Sequence, residues 1–226
     1  MSSRSRTRSG AIGLAWAGLL LGIGGILHPR VDTSVELDQG LAGMFESSTW
    51  DVAHVLTLGG YIVLAVSLAV LVRGLGSGWS SRQRLIGWAA VAGACIAAVE
   101  SVPHLFAASE TDALLAGGST PLTDLHTILQ AFATPAVGLS VAALAVASAR
   151  NRDLGNGFIV AVVAIVGGLA FTFAGPMIAL TENSEFSPLF IGSAGVSIWF
   201  VVAGIHMAWR LSTGEIDREL ETAPAR

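Results

Sequence analysis

The sequence predicts an all-α integral membrane bundle of six transmembrane helices, arranged as three helical hairpins. Three observations predict it: a chain poor in charge, six long apolar runs, and arginines that fall on one side of those runs. Only 12% of the 226 residues are charged, and the mean hydropathy is +0.68. A soluble domain is about a quarter charged, so this chain lacks the polar side chains to cover a surface in water. It suits a protein whose outside meets the lipid bilayer. The net charge of −4 is mild and gives no argument for nucleic acid. The chain has no Lys, and its one cysteine, Cys95, lies in an apolar run, so no internal disulfide forms.

A membrane-crossing helix needs roughly 20 mostly apolar residues. Residues 11–28, 52–72, 85–105, 126–149, 158–180 and 189–209 meet that standard. The runs are continuously apolar rather than alternating, which argues for helices over barrel strands. The first run follows Arg4, Arg6 and Arg8, as the apolar part of a secretory signal would. It is long for that role and ends at His28-Pro29-Arg30 with no small-x-small cleavage site, so it reads as a span that stays in place. The six spans and their connections form one domain, residues 1–212. Residues 213–226 form a short acidic cytoplasmic tail, with 215–221 reading as a solvated helix.

Orientation follows from the arginines. With the N-terminus in the cytoplasm, Arg4, Arg6, Arg8, Arg73, Arg82, Arg84, Arg150, Arg152, Arg210, Arg218 and Arg226 lie inside, and only Arg30 lies outside. That is the positive-inside pattern of a plasma-membrane protein with both termini cytoplasmic. Two connections, 29–51 and 106–125, are near 20 residues each and both face outside. Long connections are where function concentrates.

Within the spans, Gly18 and Gly22 form a GxxxG, and Gly24, Gly25, Gly59, Gly60, Gly93, Gly167 and Gly168 add to the small-residue supply. Small residues let helices approach closely in lipid. Pro135 and Pro176 lie inside spans and are expected to kink them or free carbonyls. Trp50, Trp79, Trp88 and Trp209 fit an interfacial aromatic belt, while Trp16 and Trp199 lie deeper and suit packing.

The residues with chemistry are histidines. His28 ends span 1, His54 begins span 2, His104 ends span 3 and His126 begins span 4. Under this topology all four lie near the outer membrane surface, one per helix. His206 stands alone near the inner end of span 6 and reads as structural. Glu100 precedes His104 by four residues, so the two share a helix face about a turn apart. An ionisable group at that depth is a functional candidate. Asp51 precedes His54 by three residues, while Asp124 reads as a helix start. His126, Gln130 and Thr134 make one polar stripe, and His54, Thr57 and Tyr61 another.

Imidazole binds transition metals and haem iron, and a neighbouring carboxylate orients it. His28, His54, His104 and His126 are therefore candidate ligands of haem b or of a transition metal. Glu100 and Asp51 are candidate metal ligands or orienting groups. No HExxH, CxxCH or His pair at i, i+4 occurs, and no nucleotide-binding or nucleophile motif is present. Interfacial histidines with wet, hydrogen-bonded tips are the plain alternative. The plan of one outer-leaflet histidine on each of four consecutive helices resembles membrane b-type cytochromes and haem A synthase. The resemblance is of arrangement, covers spans 1–4, and carries no residue roles.

Three functions compete at this level. One is a haem- or metal-binding protein with a redox role and a redox or membrane partner. Another is a small transporter or channel with a path lined by Glu100, Gln130 and Thr134. The third is a metal-dependent hydrolase or transferase acting on a lipid.

Overall fold

The computed structural model describes residues 3–32, 34–75, 79–151, 158–181 and 183–213. The acidic tail from residue 214, together with Arg152 and Glu182, lies outside the described residues. Eight α-helices and no strand occur among those described. They are α1 (Ser3–Leu27), α2 (Leu37–Phe45), α3 (Trp50–Leu75), α4 (Ser81–Phe106), α5 (Thr111–Leu115), α6 (Pro121–Asn151), α7 (Phe158–Thr181) and α8 (Gly192–Thr213). Two 3₁₀ runs, Ala107–Glu110 and Ser184–Ile191, complete the helical part. The helices α1, α3, α4, α6, α7 and α8 are long and apolar enough to cross a membrane, as the six runs predict.

These six helices form a closed ring in chain order. Each packs on the next, from α1 through α3, α4, α6 and α7 to α8, and α8 packs back on α1. The three hairpins α1–α3, α4–α6 and α7–α8 are thus also neighbours of one another. The interior holds Leu14, Leu64, Val141, Trp199, Phe200 and Met207, each fully or almost fully buried. The outside is equally apolar. On α1, Ile12, Trp16, Leu19 and Ile23 are exposed, while Ala11, Leu14, Ala17 and Leu21 face in. Apolar side chains on both faces of a helix mark a bundle solvated by lipid.

Close approach rests on glycine, as the small residues predict. A Cβ on Gly18 would stand 2.6 Å from the Ser197 carbonyl oxygen of α8, and one on Gly93 would stand 2.8 Å from that of Ala136 in α6. Gly138 and Gly168 put α6 and α7 backbone to backbone, and Gly167 meets Gly192 of α8 in the same way. With so little side chain between them, these helices gain contact that Leu–Leu packing gives in water. Gly59 differs, since a Cβ there would meet nothing within 4 Å.

Pro135 and Pro176 lie inside α6 and α7, each of which runs as one continuous helix. Beside them, Thr134 Oγ1 accepts from the Gly175 N–H at 3.2 Å and donates to the Gln130 carbonyl at 3.1 Å, so a hydroxyl ties the two helices at their prolines. Pro103 lies inside α4, one residue before His104.

The two long connections are not open loops. The first carries α2, and the second carries the turn Ala107–Glu110 and α5. The two pack on each other around a small core of Ala42, Phe45, Trp50, Ala107 and Leu114, closing one end of the ring. Trp50 is 1% exposed and belongs to this lid rather than to an aromatic belt. Its indole N–H donates to the Leu105 carbonyl at 3.1 Å. Trp88 and Trp209 remain exposed as belt residues would, whereas Trp16 points outward and Trp199 is buried.

The lid also starts α6. Glu110 accepts from the backbone N–H groups of Leu122 and Thr123 at 2.8 and 2.9 Å and from the Thr123 hydroxyl at 2.9 Å. A carboxylate at an N-terminus satisfies donors that the helix leaves free. Asp124 lies exposed in the first turn and does not begin the helix, which starts at Pro121, a favoured first position. Replacing Glu110 by Ala is expected to destabilise the protein by about 1–2 kcal/mol. Glu110→Gln, which keeps one acceptor, is expected to lose less. Thermal unfolding in detergent checks both.

Candidate metal centre

Four helix ends meet beneath this lid. Helix α1 ends just before Pro29, whose ring disfavours the helical conformation at His28, and His28 closes the last turn through a 2.9 Å bond from its N–H to the Gly24 carbonyl. His54 comes from the second turn of α3, His104 from the last turns of α4, and His126 from the second turn of α6. The sequence places these four at one end of the bundle, and the fold brings them into contact. Ring centroids are 4.8 Å apart for His28 and His54, 4.3 Å for His54 and His104, 5.5 Å for His28 and His104, and 3.6 Å for His104 and His126.

Glu100 joins them from the turn of α4 below His104. Its Oε1 lies 3.6 Å from His104 Nδ1 and 2.5 Å from His126 Nδ1. The second is an ion-pair contact, and among the described residues the buried His126 Nδ1 makes no hydrogen bond. On its other edge, His126 Nε2 lies 3.3 Å from Gln130 Nε2, which can donate to it. The stripe of His126, Gln130 and Thr134 therefore faces the interior, as its spacing predicts.

Two rings have their tautomer set by the backbone. His28 Nδ1 lies 2.6 Å from the Pro29 carbonyl, and His54 Nδ1 lies 2.7 Å from the Trp50 carbonyl. A carbonyl only accepts, so each Nδ1 carries the proton and each Nε2 keeps its lone pair. This is how metal-ligating histidines are commonly held. His54 is 2% exposed, and its Nε2 has no hydrogen-bond partner among the described residues. A buried, unpartnered lone pair is costly and calls for an explanation.

The donor atoms fall into two groups able to hold an ion: His28, His54 and His104, and Glu100, His104 and His126. Within each group the atoms lie within 4.8 Å of one another. Asp51 is exposed in the first turn of α3 and belongs to neither group. His206 is half-buried on α8 with its ring 6.0 Å from Trp209.

Trp50 is the contributor that sequence reasoning passes over. Its ring centroid lies 3.9 Å from that of His54 and 5.3 Å from that of His104. The signal was present, because a residue four before His54 on one helix shares its face. Glu110 had no comparable signal: it reaches α6 through a connection whose path only the folded lid determines. No family model, curated protein or solved structure matches this chain.

Proposed function

We propose that this protein is a membrane metalloprotein that holds a transition metal through His28, His54, His104, His126 and Glu100, with a redox role. The observation that carries the reading is the buried His54 Nε2. Its lone pair has no hydrogen-bond partner among the described residues, although its Nδ1 is already oriented by a carbonyl. An ion accepts that lone pair, and the same ion chemistry accounts for three more imidazoles and a carboxylate gathered beside it. The donor set is rich in imidazole, which suits copper, iron or zinc rather than magnesium or calcium.

Of the two cofactors expected from the sequence, the compact spacing supports an ion over haem. Two axial imidazoles must leave a slot for a flat macrocycle between them, whereas these rings pack against each other at 3.6–5.5 Å. Among roles, enclosure supports electron transfer. His54 and Glu100 are 2% and 7% exposed, and Trp50 seals the top in ring contact. An ion in such a place exchanges electrons without admitting a large substrate, which the lipid hydrolase or transferase reading requires. Transport is supported less, since the polar groups here converge on one another beneath a lid.

The test is metal analysis of the detergent-purified protein, with absorption spectra oxidised and reduced. The expected result is copper or iron in stoichiometric amount, no Soret band, and a lower metal content in His54→Ala. A Soret band would replace the ion with haem. Stoichiometric zinc with no spectral change on reduction would overturn the redox role, and no retained metal would overturn the site.

A further inference from the structure

The geometry points to two metal ions in this centre, bridged by His104. The inference deepens the metal-binding reading and rests on it. Its ground is how the donors divide. His28 and His54 group with His104, and Glu100 and His126 group with His104, but neither group includes a member of the other apart from His104 itself. Donors on one ion end no farther apart than twice an ion–nitrogen bond, or about 4 Å, which the donors within either group reach by small side-chain shifts from their spacing of up to 4.8 Å, whereas the two groups do not merge even at that wider spacing. A single ion in either group therefore leaves the other group's buried donors unanswered.

The orphaned atoms divide in the same way. Two buried side-chain nitrogens lack a hydrogen-bond partner among the described residues: His54 Nε2 and His126 Nδ1. One belongs to each group. One ion would answer one of them, and two ions answer both. Burial makes the first a demand rather than an accident, since His54 is 2% exposed, while the second lies on a part-buried ring against the carboxylate of Glu100, a fellow donor of its group.

His104 is suited to the bridging place. An imidazole has two ring nitrogens, and its Nδ1 already lies 3.6 Å from Glu100 Oε1 in one group. The ring packs edge-on to His54 at 4.3 Å and stacks on His126 at 3.6 Å, so it touches a donor of each group. For both nitrogens to bind, the ring gives up its remaining N–H proton to bulk water, and each lone pair then serves one ion. Each ion has three protein donors, with water completing its shell. Two redox ions in contact through one ring hold two electrons where a single ion holds one.

The test is titration of the metal-stripped, detergent-solubilised full chain with cobalt(II), followed by its ligand-field bands and by equilibrium dialysis. The expected result is two cobalt ions per chain in the wild type, and one in each of His126→Ala and His54→Ala. His54→Gln serves as a second variant should the alanine fail to fold, and the wild-type count needs no variant at all. With two copper(II) ions per chain, the bridge couples the spins. The paramagnetic resonance intensity then falls well below two spins, while His126→Ala with one copper shows one full spin. One cobalt per wild-type chain, lost alike in both variants, would overturn the pair and leave the single-ion reading standing. Two coppers with full, uncoupled intensity would overturn the bridge. No cobalt bound would overturn the metal reading itself.

Discussion

Stripped of metal and then given cobalt(II) at a thousand times its dissociation constant, the protein in detergent is expected to melt roughly 10 °C higher for each ion bound. The size follows from linkage. A ligand that binds only the folded state at that excess adds about 4 kcal/mol per site. For a chain of this length each kcal/mol moves the midpoint by about 2–4 °C. His104→Ala is expected to abolish the shift, because His104 belongs to both donor groups. The comparison is made within each protein, with and without cobalt, so a lower baseline in the variant does not confuse it. Differential scanning fluorimetry reads the result, and an unchanged midpoint in the wild type would count against the site.

The second large effect concerns the walls that hold the site. Gly138→Leu is expected to destabilise the bundle by about 3 kcal/mol or more, the upper range for forcing atoms into a filled interior. A side chain there meets the Gly168 carbonyl and the backbone nitrogen of Thr172 in α7, with that nitrogen 2.8 Å from the Cβ position. Neither can move without parting α6 from α7. Gly59→Ala makes the contrast, since its Cβ position is open. There the alanine is expected to raise stability by about 0.4–1 kcal/mol by restricting the unfolded chain. Opposite signs at two helical glycines, read as melting midpoints in one detergent, check that contact rather than propensity decides.

The six long helices were legible because a run of apolar residues with that length has few other fates. Their ends were less so. Helix α1 begins at Ser3 rather than near residue 11, because helix continues past the apolar run into the basic segment. There Arg4 Nε donates to the Leu211 carbonyl of α8 at 2.8 Å. Helix α6 begins five residues before the apolar pattern does, at Pro121, because Glu110 arrives from another segment to hold its first turn. The short helix α2 and the turn into α5 left no signal in hydropathy. They are made by packing of Phe45, Trp50 and Leu114 across two connections.

The candidate site was legible in part. Topology alone put His28, His54, His104 and His126 at one end, and helix periodicity put Glu100 beneath His104. Spacing could not say that the rings touch, nor that they divide into two groups about His104. Those facts depend on rotamers and on how the helices of the ring are turned. Asp51 shows the limit of the same reasoning. Three residues from His54, it was expected near the site, yet the helix turns it outward. Trp50, one residue earlier, takes the inward place.

X-ray absorption at the edge of the bound metal tests the central claim most directly. The account predicts a first shell of nitrogen and oxygen at about 2.0–2.1 Å with the outer-shell scattering of imidazole rings. That scattering is expected to weaken in His54→Ala and in His126→Ala. A first shell of oxygen alone, with no imidazole pattern and no change in either variant, would place the metal elsewhere and contradict it.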